Sequence, residues 1–186
     1  MKTIILNGQE IEYRVVYKNY KNPTKKQISM KWNGVFIISG SKKILGNGID
    51  FIKKNTEWVL KNNEYINTCK KLPEYSNGNF NKDIRFFIKK YSKKLALKKP
   101  NYEFFTNKNN WGRCYISKNL IALNTKLQYV PRNLLEYVIA HEILHFKISK
   151  HPKRFWFTLE IIYSNVLKNK KLLEKYTYKL LQEGEK

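Results

Sequence analysis

An α+β fold follows from three features of this 186-residue chain. Short runs rich in β-branched and aromatic residues fill its first 40 positions. Three more such runs fall between Tyr102 and Thr125, separated by Asn-rich turns. The segments between and after them are longer and repeat their apolar residues at helical spacing.

Residues 3–6, 10–17, 26–32 and 34–39 read as strands. Asn33-Gly34, between the last two, is a two-residue hairpin signal. Asn47 to about Cys69 reads as a helix, with Ile52, Trp58, Val59 and Ile66 at its apolar positions. Leu72 to Asn81, with Pro73, Gly78 and three Asn, is the best linker. A helix follows from about Lys82 to Leu97, ended by Pro100. Strands are expected at Tyr102 to Thr106, Gly112 to Ser117 and Leu120 to Thr125. Three helices close the chain: Pro131 to Ser149, Pro152 to about Leu167, and Lys170 to Leu181. The expected division is a β-rich amino-terminal lobe with one helix at 1–75 and a core at 76–186. In that core the three strands should form an antiparallel sheet against the helix from Pro131.

Composition narrows the class. A hydrophobic content of 42% and 15% aromatics suit a globular chain large enough for a sizeable core. No run approaches the length of a membrane span. Met1 to Leu6 opens like a signal segment, but Asn7-Gly8-Gln9-Glu10 ends its apolar run too soon for a secretory core. The cytosol is the expected compartment. Cys69 and Cys114 form no C-x-x-C pair, and a disulfide is not expected there. Cys114 reads first as a small buried residue, although it lies near the candidate site described next. The formal charge of +23 raises nucleic-acid binding as a function. Yet only five of the 37 basic residues are Arg, and the Lys pairs are scattered along the chain. Lys, Asn and Ile are together what an AT-rich genome encodes. Arg85 to Lys99, with Phe86, Phe87 and Tyr91 interleaved, is the best contact surface, unless those rings face the core.

The chemistry concentrates in His141-Glu142-Ile143-Leu144-His145, followed by His151. These are the only three histidines in the chain. Positions i and i+4 of a helix share a face, so His141 and His145 can reach one ion. Glu142 projects about 100° round the helix from His141, towards a water rather than the ion. This is the HExxH arrangement of zinc-dependent hydrolases. Leu134, Val138, His141 and His145 share one stripe of an otherwise apolar helix. Two imidazoles and a carboxylate buried there without partners would cost several kcal/mol, roughly, and a cation with its water would satisfy them. In an unbroken helix His151 would sit about 80° off the face of His141. Pro152 forces a break, because the residue before a proline is pushed towards extended geometry. His151 is thus the expected third ligand, and Glu160, on the next helix, is its rival.

The HExxH-x5-H spacing resembles that of metzincins, but Ile148 stands where those have Gly, and both methionines, Met1 and Met30, lie upstream. A closer resemblance is to the YgjP-like family of metal-dependent hydrolases (domain of unknown function 45), related in pattern to SprT-like and WLM-type proteases. Four segments carry it in order. Trp111-Gly112-Arg113-Cys114 resembles the family's WGSC, and Asn119 to Leu127 its short strand with an Asn-containing end. Leu134 to Glu142 resembles LLDYVVVHE, and His151 to Trp156 resembles HSxxFW. Gln27 to Ser39 and Phe51 to Leu60 match the amino-terminal part more loosely. Arg113 and Pro152 each replace a family Ser, and Ile148 stands where His is common.

The resemblance implies a zincin-like metallopeptidase core in which Leu120 to Asn124 is a cleft-bordering edge strand that binds a peptide or protein substrate. The residues themselves favour Zn²⁺ held by His141, His145 and His151, with Glu142 as general base. Arg113 or a nearby tyrosine is the candidate for a second electrophile. Two other functions stay open. One is hydrolysis of a nucleotide, which a lysine-rich cleft would favour. The other is a nucleic-acid-binding protein with a closed, structural metal site.

Overall fold

The computed structural model describes residues 1–31, 34–76, 78–107 and 110–181. It divides into two compact units: Met1–Leu72 joined by the chain from Thr177, and Pro73–Tyr176.

The first unit is built on a four-stranded sheet, β1 (Lys2–Leu6), β2 (Gln9–Tyr17), β3 (Gln27–Met30) and β4 (Phe36–Gly40), in the order β1-β2-β4-β3. β2 and β4 run parallel, and the outer pairs run antiparallel. Ile11 and Tyr13 alternate into the core from β2, where they meet Phe36 and Ile38 of β4. The two-residue Asn-Gly turn lies at Asn7-Gly8, whose φ angles of 48° and 78° suit a hairpin twist. The expected turn at Asn33-Gly34 falls partly outside the described residues, because Asn33 is not among them. The β3–β4 connection is longer than two residues: Lys31 N–H donates to the Val35 carbonyl, and Gly34 N–H to that of Lys31.

The single helix expected from Asn47 to Cys69 is two, α2 (Ile49–Lys54) and α3 (Thr56–Lys70), preceded by a short α1 (Lys42–Leu45). Asn55 makes the break. Its side chain donates to the Phe51 carbonyl, and its backbone leaves helical geometry at φ −113° and ψ 22°.

The second unit carries the site. Its sheet is β5 (Asn101–Phe105), β6 (Gly112–Tyr115) and β7 (Leu120–Asn124), in the order β5-β7-β6. This corrects two expectations. The sheet is mixed, since β5 and β7 run parallel while β6 and β7 run antiparallel. Leu120–Asn124 is the central strand, not an edge. Ile121, Ala122 and Leu123 are all buried, the near-continuous apolar run of a strand covered on both faces. The edge strand beside the site is β6.

α4 (Phe80–Lys94) stops well short of Pro100. Ala96 enters the left-handed region at φ 48°, Leu97 N–H donates to Ser92 and Ala96 N–H to Lys93. That is a Schellman termination without its usual glycine. α5 (Arg132–Leu144) packs on α4 through paired charges. Arg132 grips Asp83 with two bonds of 3.0 Å, and Glu136 accepts from Lys90 and Tyr91. α6 (Lys153–Ile162) ends where Tyr163 turns extended, and α7 (Val166–Leu181) follows. Among the described residues no helix is long and apolar enough to cross a membrane.

Candidate metal centre

α5 is buried on nearly every side: Leu134, Leu135, Val138, Ile139, Ala140, Ile143 and Leu144 are all at most 3% exposed. Such a helix has little freedom to rotate, so the directions of His141 and His145 are fixed by packing. The helix ends at Leu144, earlier than expected, and the chain turns through residues 145–152. That turn brings His151 back to the helix. His151 Nε2 lies 2.9 Å from His141 Nε2, and His145 Nε2 lies 3.2 Å from it. α5 ends eight residues before Pro152, so the proline does not cause that break; Pro152, with φ −66° and ψ 171°, instead stands directly before α6.

One side chain seats all three rings. Phe155, fully buried on the first turn of α6, lies 4.9 Å from the ring centre of His141 and 4.7 Å from those of His145 and His151. Trp156 stacks on His151 at 5.4 Å and 23°. Lys170 sits over the Trp156 ring at 4.3 Å.

The donor set fits a small divalent cation. Nitrogens about 2.0–2.1 Å from a tetrahedral zinc lie about 3.3 Å apart, close to the two spacings at His141, and the three donor atoms all lie within 4.8 Å of one another. Burial lowers the basicity of His141 to about 3, helped by His145, His151 and Lys170. Burial also lowers His145 and His151. All three rings are therefore neutral near pH 7 and hold lone pairs for a metal. His145 Nδ1 faces the Ile148 carbonyl at 3.1 Å, which places its proton on Nδ1 and its lone pair on Nε2. Buried His141 Nδ1 has no hydrogen-bond partner.

A cavity of about 500 Å³ opens over the triad. Glu142 lines it and is 7% exposed. Burial alone raises its carboxyl to about 8. Trp111 to Cys114, at the start of β6, forms another wall. Arg113 lines this wall with its guanidinium 4.8 Å from the centre of the Phe105 ring. Cys114 is half-buried rather than in the core, and burial with the nearby Glu142 pushes its thiol up to about 12. Glu160, the rival ligand, is engaged elsewhere. Its carboxylate accepts from the backbone N–H groups of Asn165 and Val166, where α7 begins.

Three contributors were not singled out in the sequence reading, beyond the unnumbered nearby tyrosine it offered as an electrophile. Tyr137, one turn before His141, lines the cavity as a phenol that burial and Glu142 push up to about 12. It is a protonated donor at neutral pH. Asn124, buried at the end of β7, donates to the Asn107 and Asn110 carbonyls and so fastens the loop that delivers Trp111. Phe155 was visible only as part of a motif.

No curated protein matches the chain. Among solved structures it is similar to the metallopeptidase zymogen of Pyrococcus abyssi abylysin, at 19% identity and a TM-score of 0.45, over 52% of this chain and 94% of that one. The family model described as "YgjP-like, metallopeptidase domain" matches residues 49–176, a span that contains β5–β7, α4–α6 and the whole cavity. With that match over well more than half its length, the chain belongs to the YgjP-like metallopeptidase family.

Proposed function

We propose that this protein is a zinc-dependent peptidase in which Glu142 carries the proton. The family implies a divalent metal, and the observation that supports zinc is the convergence of three neutral histidine nitrogens on one point. Three protein ligands with space left beside them are the pattern of a catalytic zinc site. When bound there, zinc supplies Lewis acidity towards a water and a scissile carbonyl. Glu142 takes the proton of the attacking water and returns it to the leaving amine. Burial raises this carboxyl in the metal-free chain, and a cation held by the three histidines would draw it back towards the ionised form that accepts the proton.

The place of β6 favours a peptide bond: it is an edge strand of its sheet and lines the cavity, and an extended peptide can pair with such an edge by backbone hydrogen bonds. The open cavity and Glu142 in its wall count against a purely structural metal. We also place the protein in the cytosol, in keeping with two cysteines that form no disulfide.

Plasma mass spectrometry on wild type, His145→Ala and Glu142→Gln, paired with a peptide-library cleavage assay, tests this reading. Wild type and Glu142→Gln should each hold about one zinc, and His145→Ala none. Cleavage should fall at least ~100-fold in Glu142→Gln. Absence of metal from wild type after zinc dialysis, or full cleavage by Glu142→Gln, would sink it.

A further inference from the structure

Gly112 opens β6 without a left-handed φ, so its backbone conformation does not require glycine. Glycine weakens a strand and often marks a place where another group comes close. Here the group is Glu142. A Cβ at position 112 would lie 2.6 Å from Glu142 Cγ, 2.7 Å from Oε1 and 2.8 Å from Cδ. Real Cβ atoms essentially never approach a neighbour within 3.0 Å. The three nearest atoms all belong to one side chain, so the conflict would fall first on Glu142. Gly40 and Gly48 also lie tightly against their surroundings, but what they meet first is apolar, Leu45 and Val15. With α5 held by packing, Glu142 can relieve the conflict only by swinging its side chain into the cavity it lines, away from its place in the wall.

We propose that Gly112 is a positioning residue: its missing side chain is the slot that seats the Glu142 carboxyl in the cavity wall. A β6 residue with any side chain would push that carboxyl out of place. A misplacement of about 1 Å can cost roughly 100-fold in rate. The catalytic consequence rests on Glu142 being the proton carrier; the structural consequence does not.

The test is a double-mutant cycle of wild type, Gly112→Ala, Glu142→Ala and the double variant. Metal-stripped protein is unfolded in urea, and zinc-loaded protein is assayed for peptide cleavage. Alanine suits a strand backbone, so Gly112→Ala should lower the urea midpoint only when Glu142 is present. In the Glu142→Ala background it should leave the midpoint unchanged or raise it. Zinc-loaded Gly112→Ala should keep its metal and hold KM within about threefold, while kcat falls at least ~100-fold. If Gly112→Ala alone fails to fold, a folded double variant supports the slot, and an unfolded one overturns it. Equal midpoint losses in both backgrounds overturn it too. A kcat within about threefold of wild type, beside an inactive Glu142→Gln, overturns the positioning role while sparing the proton carrier. An active Glu142→Gln removes the proton carrier and leaves the urea cycle to judge the slot.

Discussion

The two ring nitrogens of His145 face different partners: Nδ1 the Ile148 carbonyl, and Nε2 the Nε2 of His141. Spacing alone revealed which histidines could meet, because i and i+4 share a helix face whatever the rest of the chain does. It could not reveal Gly112 as a neighbour of Glu142 or Phe155 as a neighbour of the triad, since those contacts cross from other elements. Glu142 shows what burial does at the scale of one residue. Its carboxyl is raised from an ordinary 4.5 to about 8. Between those values the folded metal-free chain keeps the proton that the unfolded chain releases. The stability tied to this group is complete below pH 4.5 and is lost as pH rises to about 8. Metal-free Glu142→Gln should therefore gain on metal-free wild type as pH rises from about 5 to 8, by up to about 5 kcal/mol. Urea titrations with chelator present at several pH values measure this. A difference that does not change with pH would contradict it.

Among the elements, α6 shows how a motif can be read without its reason. The Phe155-Trp156 pair stood out in the sequence, yet its purpose emerges only from one ring beneath three imidazoles. Phe155→Ala should cost about 3–5 kcal/mol of stability by leaving a cavity. It should also weaken zinc binding about 10-fold or more, because the rings lose their common seat. Urea unfolding and competition against a chromogenic chelator check the two effects separately; unchanged zinc affinity would mean the rings are held without it. The element boundaries that sequence missed have local causes with unusual residues. Ala96 occupies a position that glycine normally marks, so α4 gave no sign of its end. Asn7-Gly8 is a hairpin turn whose meaning was absorbed into the question of a signal segment. The order β5-β7-β6 had no local cause at all. Strand pairing is a long-range choice, and alternation in one strand does not name its neighbour.

Across the whole molecule the formal charge of +23 is the feature least tied to the site. Of the aromatic residues between Arg85 and Lys99, Phe87 and Tyr91 are buried, while Phe86 stays 55% exposed. Most of the ring surface offered for base stacking is therefore in the core. We expect any nucleic-acid binding to be electrostatic and indifferent to sequence. Anisotropy with unrelated oligonucleotides of equal length should give equal affinities, falling steeply between about 50 and 200 mM salt. A marked preference for one sequence would contradict this. The same charge bears on β6, an edge strand of its sheet. A sheet edge can zip onto another copy of itself, and that route ends in aggregates. This strand is only four residues long and carries Arg113. Brevity and like-charge repulsion between copies make it a poor template for its own kind.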